Sequence, residues 1–179
     1  MADRPQKILL VEPEPGIMEI LVEALSRRLN AQVTCVSDAR SCLDVDLVEP
    51  HDLVIAEWQL GDATGPELAE QLTAISSRPI ILLADQPSAE DTIAALRVGV
   101  RDLFLKPFPV EQLLDAAARV LYGYEVKRQH AVKYRRMREL VRHVIRERRD
   151  LNRRIELVCR DLVDSHRRLV KRVIEFKAT

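Results

Sequence analysis

The 179-residue sequence contains no run of about 18 apolar residues, so no membrane-spanning helix is expected. Aromatic residues make up only 4% of it, which leaves any core to aliphatic side chains. Cysteine is scarce: Cys35, Cys42 and Cys159 form an odd, scattered set without metal-ligand spacing. That excludes a disulfide framework and predicts reduced thiols in a cytoplasmic protein. The residues from Met1 to Gln6 carry charge and a proline where a secretory signal needs an apolar stretch, so no leader is expected. Glycine and proline are missing from the last third. All five glycines and all nine prolines lie at or before Gly123, leaving 56 residues with neither.

What is present divides at the same point. The formal net charge is zero, yet residues 1–123 hold 10 Lys and Arg against 20 Asp and Glu, a net of −10. Residues 124–179 hold 18 against 8, a net of +10. Such an asymmetry predicts two modules with different partners, 1–123 and 124–179.

In the first module short apolar runs alternate with stretches of helical periodicity. The segment KILLV at 7–11 reads as a buried parallel strand, followed by the turn-rich Glu12-Pro13-Glu14-Pro15-Gly16. Apolar residues at Ile17, Ile20, Leu21, Ala24 and Leu25 predict a helix over 17–29 that Asn30 can terminate. Val33 and Cys35 alternate in a second strand, and Ser37 or Asp38 can cap a helix over 39–47. A third strand is expected at 52–56, then a loop over 58–65 and a helix that Pro66 can start. A fourth strand is expected at 80–83, a helix over 89–98 ending at Gly99, a fifth strand at 102–105 and a fifth helix from Val110.

Five strands alternating with helices in about 120 residues predict an α/β fold, a doubly wound five-stranded parallel sheet with right-handed crossovers. Ligands in such folds sit beyond the carboxyl ends of the strands. There the sequence places Glu12-Pro13-Glu14, Glu57-Trp58, Ala84-Asp85 and Lys106-Pro107. Acids after the first and third strands face a lysine after the fifth.

These residues carry a resemblance to the receiver domain of bacterial response regulators, covering roughly residues 5–123. Its strongest pieces are ILLVEPEP at 8–15, DLVIAEWQLGDATGPEL at 52–68, PIILLAD at 79–85 and GVRDLFLKPF at 99–108. The resemblance implies the flavodoxin-like fold and a cis bond before Pro107. It also implies a role in two-component or phosphorelay signalling. Receivers accept a phosphoryl group on an aspartate after the third strand, with a magnesium ion held by that residue and an acidic pair after the first. Here Glu57 stands at the acceptor position and the pair reads Glu12-Pro13, with Glu14 next. The hydroxyl position after the fourth strand is Ala84, the aromatic switch position is Leu103, and Lys106 alone matches. Pro13 brings no side-chain oxygen to a metal that needs octahedral oxygen ligands. Glu57 carries its carboxylate one methylene too far for in-line phosphoryl transfer, and Ala84 cannot hydrogen-bond a phosphoryl group. Weak or absent magnesium binding is expected, with no other metal or cofactor and no catalytic residues. Glu57 and Lys106 can pair directly, either imitating the phosphorylated state or as a silent ion pair. Trp58, the only tryptophan, reads as a partner-surface residue or a lid over the pocket.

Nothing after Tyr124 breaks a helix. Apolar residues at Met137, Leu140, Val144, Leu151, Ile155, Val158, Leu162, Leu169, Val173 and Phe176 form a stripe with steps of 3, 4 and 7. Met137, Ile155 and Val173 are 18 apart, as are Leu140, Val158 and Phe176, which is 3.6 residues per turn over five turns. The stripe therefore stays on one face of a nearly straight helix, interrupted at Arg148 and His166. Such a face needs a partner helix, and a second copy in a coiled coil is the economical choice. His130, His143 and His166 form no metal pattern.

The expectation is a non-enzymatic, phosphorylation-independent receiver that acts as a dimeric interaction or scaffold module with a protein partner. The fourth- and fifth-helix region is the expected partner surface. Two alternatives stand beside it. One is a nucleic-acid-binding regulator using the basic helix, whose arginines from Arg128 to Arg149 precede the densest part of the stripe. The other is a phosphorylatable regulator with glutamate as acceptor.

Overall fold

The computed structural model describes residues 5–177, with side chains described through Lys171. The elements are β1 (Lys7–Val11), α1 (Pro15–Leu29), β2 (Gln32–Val36), α2 (Ala39–Val48), β3 (Leu53–Glu57), α3 (Gly65–Ile75), β4 (Ile80–Ala84), α4 (Ala89–Val98), β5 (Asp102–Leu105) and α5 (Val110–Lys177). All strand pairs are parallel, in the order β2-β1-β3-β4-β5, so the chain winds outward in both directions from the middle of the sheet. Ile8 pairs with Leu53, Val54 with Ile80 and Ile81 with Asp102, which aligns the carboxyl ends of β1, β3, β4 and β5 along one edge.

The apolar runs behave as strands covered on both faces: β3 and β4 are buried at every residue, and β1 at all but Lys7. Alternate residues feed two cores. Leu9, Val11, Val54, Ala56, Ile80 and Leu82 face one core with Leu68 and Leu72 of α3. Ile8, Leu10, Leu53, Ile55, Ile81 and Leu83 face the other with Leu21 and Leu25 of α1 and Leu113, Ala117 and Leu121 of α5.

Local chemistry sets the element ends. Asn30 and Gly99 adopt left-handed φ values of 49° and 111° after α1 and α4, each leaving the helix through a conformation that suits it. Asp38 caps α2 by accepting from Ser41 N at 2.8 Å. Thr64 and Glu67 form a reciprocal capping box at α3. Pro15 opens α1 two residues before the apolar periodicity begins, because a proline at the first turn forfeits no helical hydrogen bond. Gly65 is required sterically, since a Cβ there would lie 2.9 Å from Glu57 O and 3.0 Å from Leu82 Cδ2.

The chain divides into two compact units between Arg128 and Gln129. Helix α5 spans 68 residues with Gly123 inside it unbroken. In the second unit Met137, Leu140, Val144, Leu151, Ile155, Val158, Leu162 and Leu169 are all exposed, between 52% and 65%. Val173 and Phe176 lie outside the residues whose side chains are described. No described helix is long and apolar enough to cross a membrane.

Candidate functional site: a carboxylate and lysine cluster at the carboxyl edge of the sheet

Glu12 directly follows β1, where its backbone N donates to Val36 O at 3.1 Å. The residue is buried, with only 2% of it exposed. Its Oε1 accepts from Glu14 N at 3.0 Å. Glu57 ends β3 and is 6% exposed; its Oε1 accepts from Trp58 N at 2.9 Å. Lys106 follows β5, anchored by its N donating to Ala84 O at 2.8 Å and preceding a cis bond to Pro107. Its ammonium touches Glu57 Oε2 and stands 3.6 Å from Glu12 Oε2. Each carboxylate thus gives one oxygen to a backbone amide and turns the other toward the same cation.

Charge and burial compete in this cluster. Burial pushes the Glu12 carboxyl above its usual value, against the opposing pull of the Glu14 amide and Lys106. For Lys106, burial alone would lower the pKa. The hydrogen bond and charge of Glu57, with Glu12 and Asp85 adding, outweigh it and hold the ammonium above its usual value.

The structure brings Glu12, Glu57 and Lys106 together but leaves the other expected pocket residues at the margin. Pro13 and Glu14 are exposed, and Glu14 reaches the cluster through its backbone amide. Ala84 is fully buried at the end of β4 and presents a methyl group. Leu103 is half-buried against the core of the α3 side. Trp58 departs from both sequence-based expectations. At 8% exposure it packs with Leu60 and Leu68 inside that core, so it is neither an open contact surface nor a lid. Its N also donates to Leu83 O at 2.7 Å, which draws the residue into the sheet. Among the described residues, no group of three or more His, Cys, Asp and Glu is placed to hold a metal ion.

A second polar cluster escapes the sequence reading. Asp46 of α2, His51 and Arg78 are all buried near the opposite, amino end of the sheet. Asp46 Oδ1 accepts from His51 N at 3.1 Å and meets His51 Nδ1 at 3.2 Å, and it pairs with Arg78. His51 Nε2 lies 3.2 Å from Thr34 Oγ1, and Arg78 Nε donates to Ser76 Oγ at 2.8 Å. Burial alone would raise the Asp46 carboxyl, but the hydrogen bonds from His51 and the Arg78 charge hold it below its usual value. A signal was available: Ala39, Cys42 and Asp46 are spaced by three and four, which puts the aspartate on the buried face of α2.

The fold and the edge cluster together define a doubly wound signalling module of the receiver class. The sequence profile of the response regulator receiver domain matches residues 8–118, and the chain belongs to that family. It is 32% identical over 114 residues to the response regulator ArlR of Staphylococcus epidermidis, covering 64% of this chain and 52% of that protein. It is 30% identical over 115 residues to ArlR of Staphylococcus aureus, with the same coverage. The chain thus spans about half the length of the curated relatives it matches. Among known structures, the signal receiver domain of an HD domain-containing protein from Pseudomonas fluorescens Pf-5 superposes with a TM-score of 0.67 at 27% identity, covering 72% of this chain and 96% of that one. A CheY-like receiver domain protein from Methanospirillum hungatei JF-1 gives 0.66 at 22%, covering 69% and 99%.

Proposed function

We propose that this receiver signals without phosphorylation, its pocket held in one state by its own charges, and that it acts as a non-enzymatic, dimeric interaction module for a protein partner. The observation that carries this reading is the Lys106 ammonium in contact with Glu57 and 3.6 Å from Glu12, the only two buried carboxylates at that edge among the described residues. The donor set does not suit a magnesium ion. One oxygen of each carboxylate is committed to an amide, the other faces a cation, and Pro13 offers no third side-chain ligand. At Ala84 no hydroxyl is available to bind a phosphoryl oxygen. The partner surface in this reading is the α4 and α5 side of the first unit, where Ile93, Leu96 and Leu105 are at least half exposed. Dimerisation is assigned to the apolar stripe from Met137 onward, because half-exposed leucines at helical spacing gain most from a second helix.

Two measurements test this. Incubation with acetyl phosphate and magnesium followed by intact mass is expected to leave the protein unmodified; a phosphoryl adduct on Glu57 refutes phosphate independence. Light scattering is expected to give a dimer for the full chain and a monomer for residues 1–128. A monomeric full chain removes the self-pairing claim.

A further inference from the structure

The second unit carries a stricter pattern than its apolar stripe. Tyr134, Val141, Arg148, Ile155 and Leu162 recur every seven residues. Met137, Val144, Leu151 and Val158 do the same between them, so the two rows alternate by steps of three and four. These are the a and d rows of a coiled-coil seam. Every member except Arg148 is apolar or aromatic, and those members are between 49% and 65% exposed, so their own chain leaves the seam uncovered.

Arg148 decides how a second helix fits. Among the described residues it pairs with no carboxylate of its own chain. Glu147 directly precedes it, at the g position that flanks the seam, with its side chain 68% exposed and 3.3 Å from His143 Nε2. Adjacent residues of one helix do not face each other, so Glu147 cannot serve Arg148 within the chain. In a parallel, in-register pair the g position of each helix lies beside the a position of the other, which sets Glu147 of each copy next to Arg148 of its mate. The interruption is then confined to one layer that holds two cations and two carboxylates. Antiparallel pairing instead layers a against d, placing each Arg148 on an apolar residue in a separate layer, where burying a charge is costly. The neighbours agree with the parallel form: β-branched Val141 and Ile155 flank Arg148 in the a row, with Leu151 at d between them.

We propose that the second unit pairs with a second copy in parallel and in register, each Arg148 meeting Glu147 of the other chain. The proposal rests on the dimer reading above and adds the direction and register of pairing. Both copies of Gln129 then lie at one end of the coil, so one dimer can engage a partner that has two matching sites.

Pulsed dipolar spectroscopy of the full chain reads the direction, with spin labels at Arg135→Cys or at Arg167→Cys in a background of Cys35→Ala and Cys159→Ala. Parallel pairing is expected to give distances below about 35 Å at both sites, from helix axes about 10 Å apart and two label arms. The sites are 32 residues apart. At about 1.5 Å per residue, antiparallel pairing makes the two distances sum to about 96 Å, so one of them must exceed about 45 Å. Glu147→Arg is expected to weaken the dimer about fivefold or more by sedimentation equilibrium, because the charge pair occurs twice. Adding Arg148→Glu to that variant is expected to restore the affinity, which a role confined to one helix does not predict. A long distance at either site, or a dimer indifferent to Glu147→Arg or not rescued by the exchange, overturns the parallel assignment and leaves dimerisation standing. A monomeric parent chain removes dimerisation itself and this proposal with it.

Discussion

The Lys106 Nζ stands 3.6 Å from Glu12 Oε2 across the carboxyl ends of β5 and β1, while the same ammonium touches Glu57 at the end of β3. Three strand ends are thereby tied by one positive charge between two negative ones. All three groups are largely withdrawn from water, so their interactions are screened far less than those of surface pairs. A cation supplied by the chain occupies the place between the carboxylates.

Lys106→Met is therefore expected to destabilise the receiver unit by about 3–5 kcal/mol at neutral pH, the cost of leaving buried carboxylates unpaired. The loss should shrink on acidification. The Glu12 pKa is raised in the folded state by burial, so its ionised form carries a penalty that is present above the folded pKa and gone below the ordinary value of 4.5. Urea unfolding followed by the fluorescence of Trp58, the only tryptophan, reads both pH conditions. An equal loss at neutral and acid pH would refute the charge argument.

Substitution of the acceptor position alone should not restore phosphorylation. Glu57→Asp shortens the carboxylate but leaves Pro13 and Ala84, so acetyl phosphate and magnesium are expected to leave that variant unmodified by intact mass. The triple variant Pro13→Asp, Glu57→Asp, Ala84→Thr returns an oxygen donor and a hydroxyl to the two remaining edges and is expected to gain one phosphoryl group. Labelling of the single variant to the same extent as the triple would show that Pro13 and Ala84 do not matter.

The fold was legible because buried parallel strands leave aliphatic runs, as in KILLV and in the DLVIA expected one residue ahead of the observed β3, and because Asp38, Pro66, Asn30 and Gly99 are residues that start or end helices by known backbone chemistry. The meeting of Glu12, Glu57 and Lys106 followed from strand-end positions alone once the sheet was parallel. Trp58 was not legible, since position beside a pocket does not tell which way a loop residue turns; in the structure it is buried in the core with Leu60 and Leu68. Asp46, His51 and Arg78 were hidden for another reason. Charged residues are ordinarily exposed, so a buried set is visible only when partners distant in sequence are seen together.

That buried set predicts an acid limit to stability. Hydrogen bonds from His51 and the charge of Arg78 overcome the burial penalty and lower the Asp46 pKa in the folded state. Its contribution is fully present above the unfolded value of 3.8 and is lost as pH falls through the lower folded value. Asp46→Ala leaves the Arg78 charge buried without its carboxylate and is expected to cost about 3–5 kcal/mol at neutral pH. In acid unfolding monitored by circular dichroism, the difference between Asp46→Ala and the parent chain should narrow below pH 3.8. A constant difference across that range would assign the loss to packing instead.

The second unit predicts its own dependence on assembly. Leu151, Val158 and Leu162 are each more than half exposed in the single chain. Burying one such side chain fully gains about 1.5–3 kcal/mol, and ion pairs at the helix surface contribute only tenths of that. Leu151→Glu combined with Val158→Glu places charges at the centre of the stripe and changes nothing within the receiver unit. The expected outcome is a monomer by light scattering, reduced helical circular dichroism, and unchanged Trp58 fluorescence. If the double variant remains a dimer with full helicity, the stripe is not the contact and assembly must use the receiver unit.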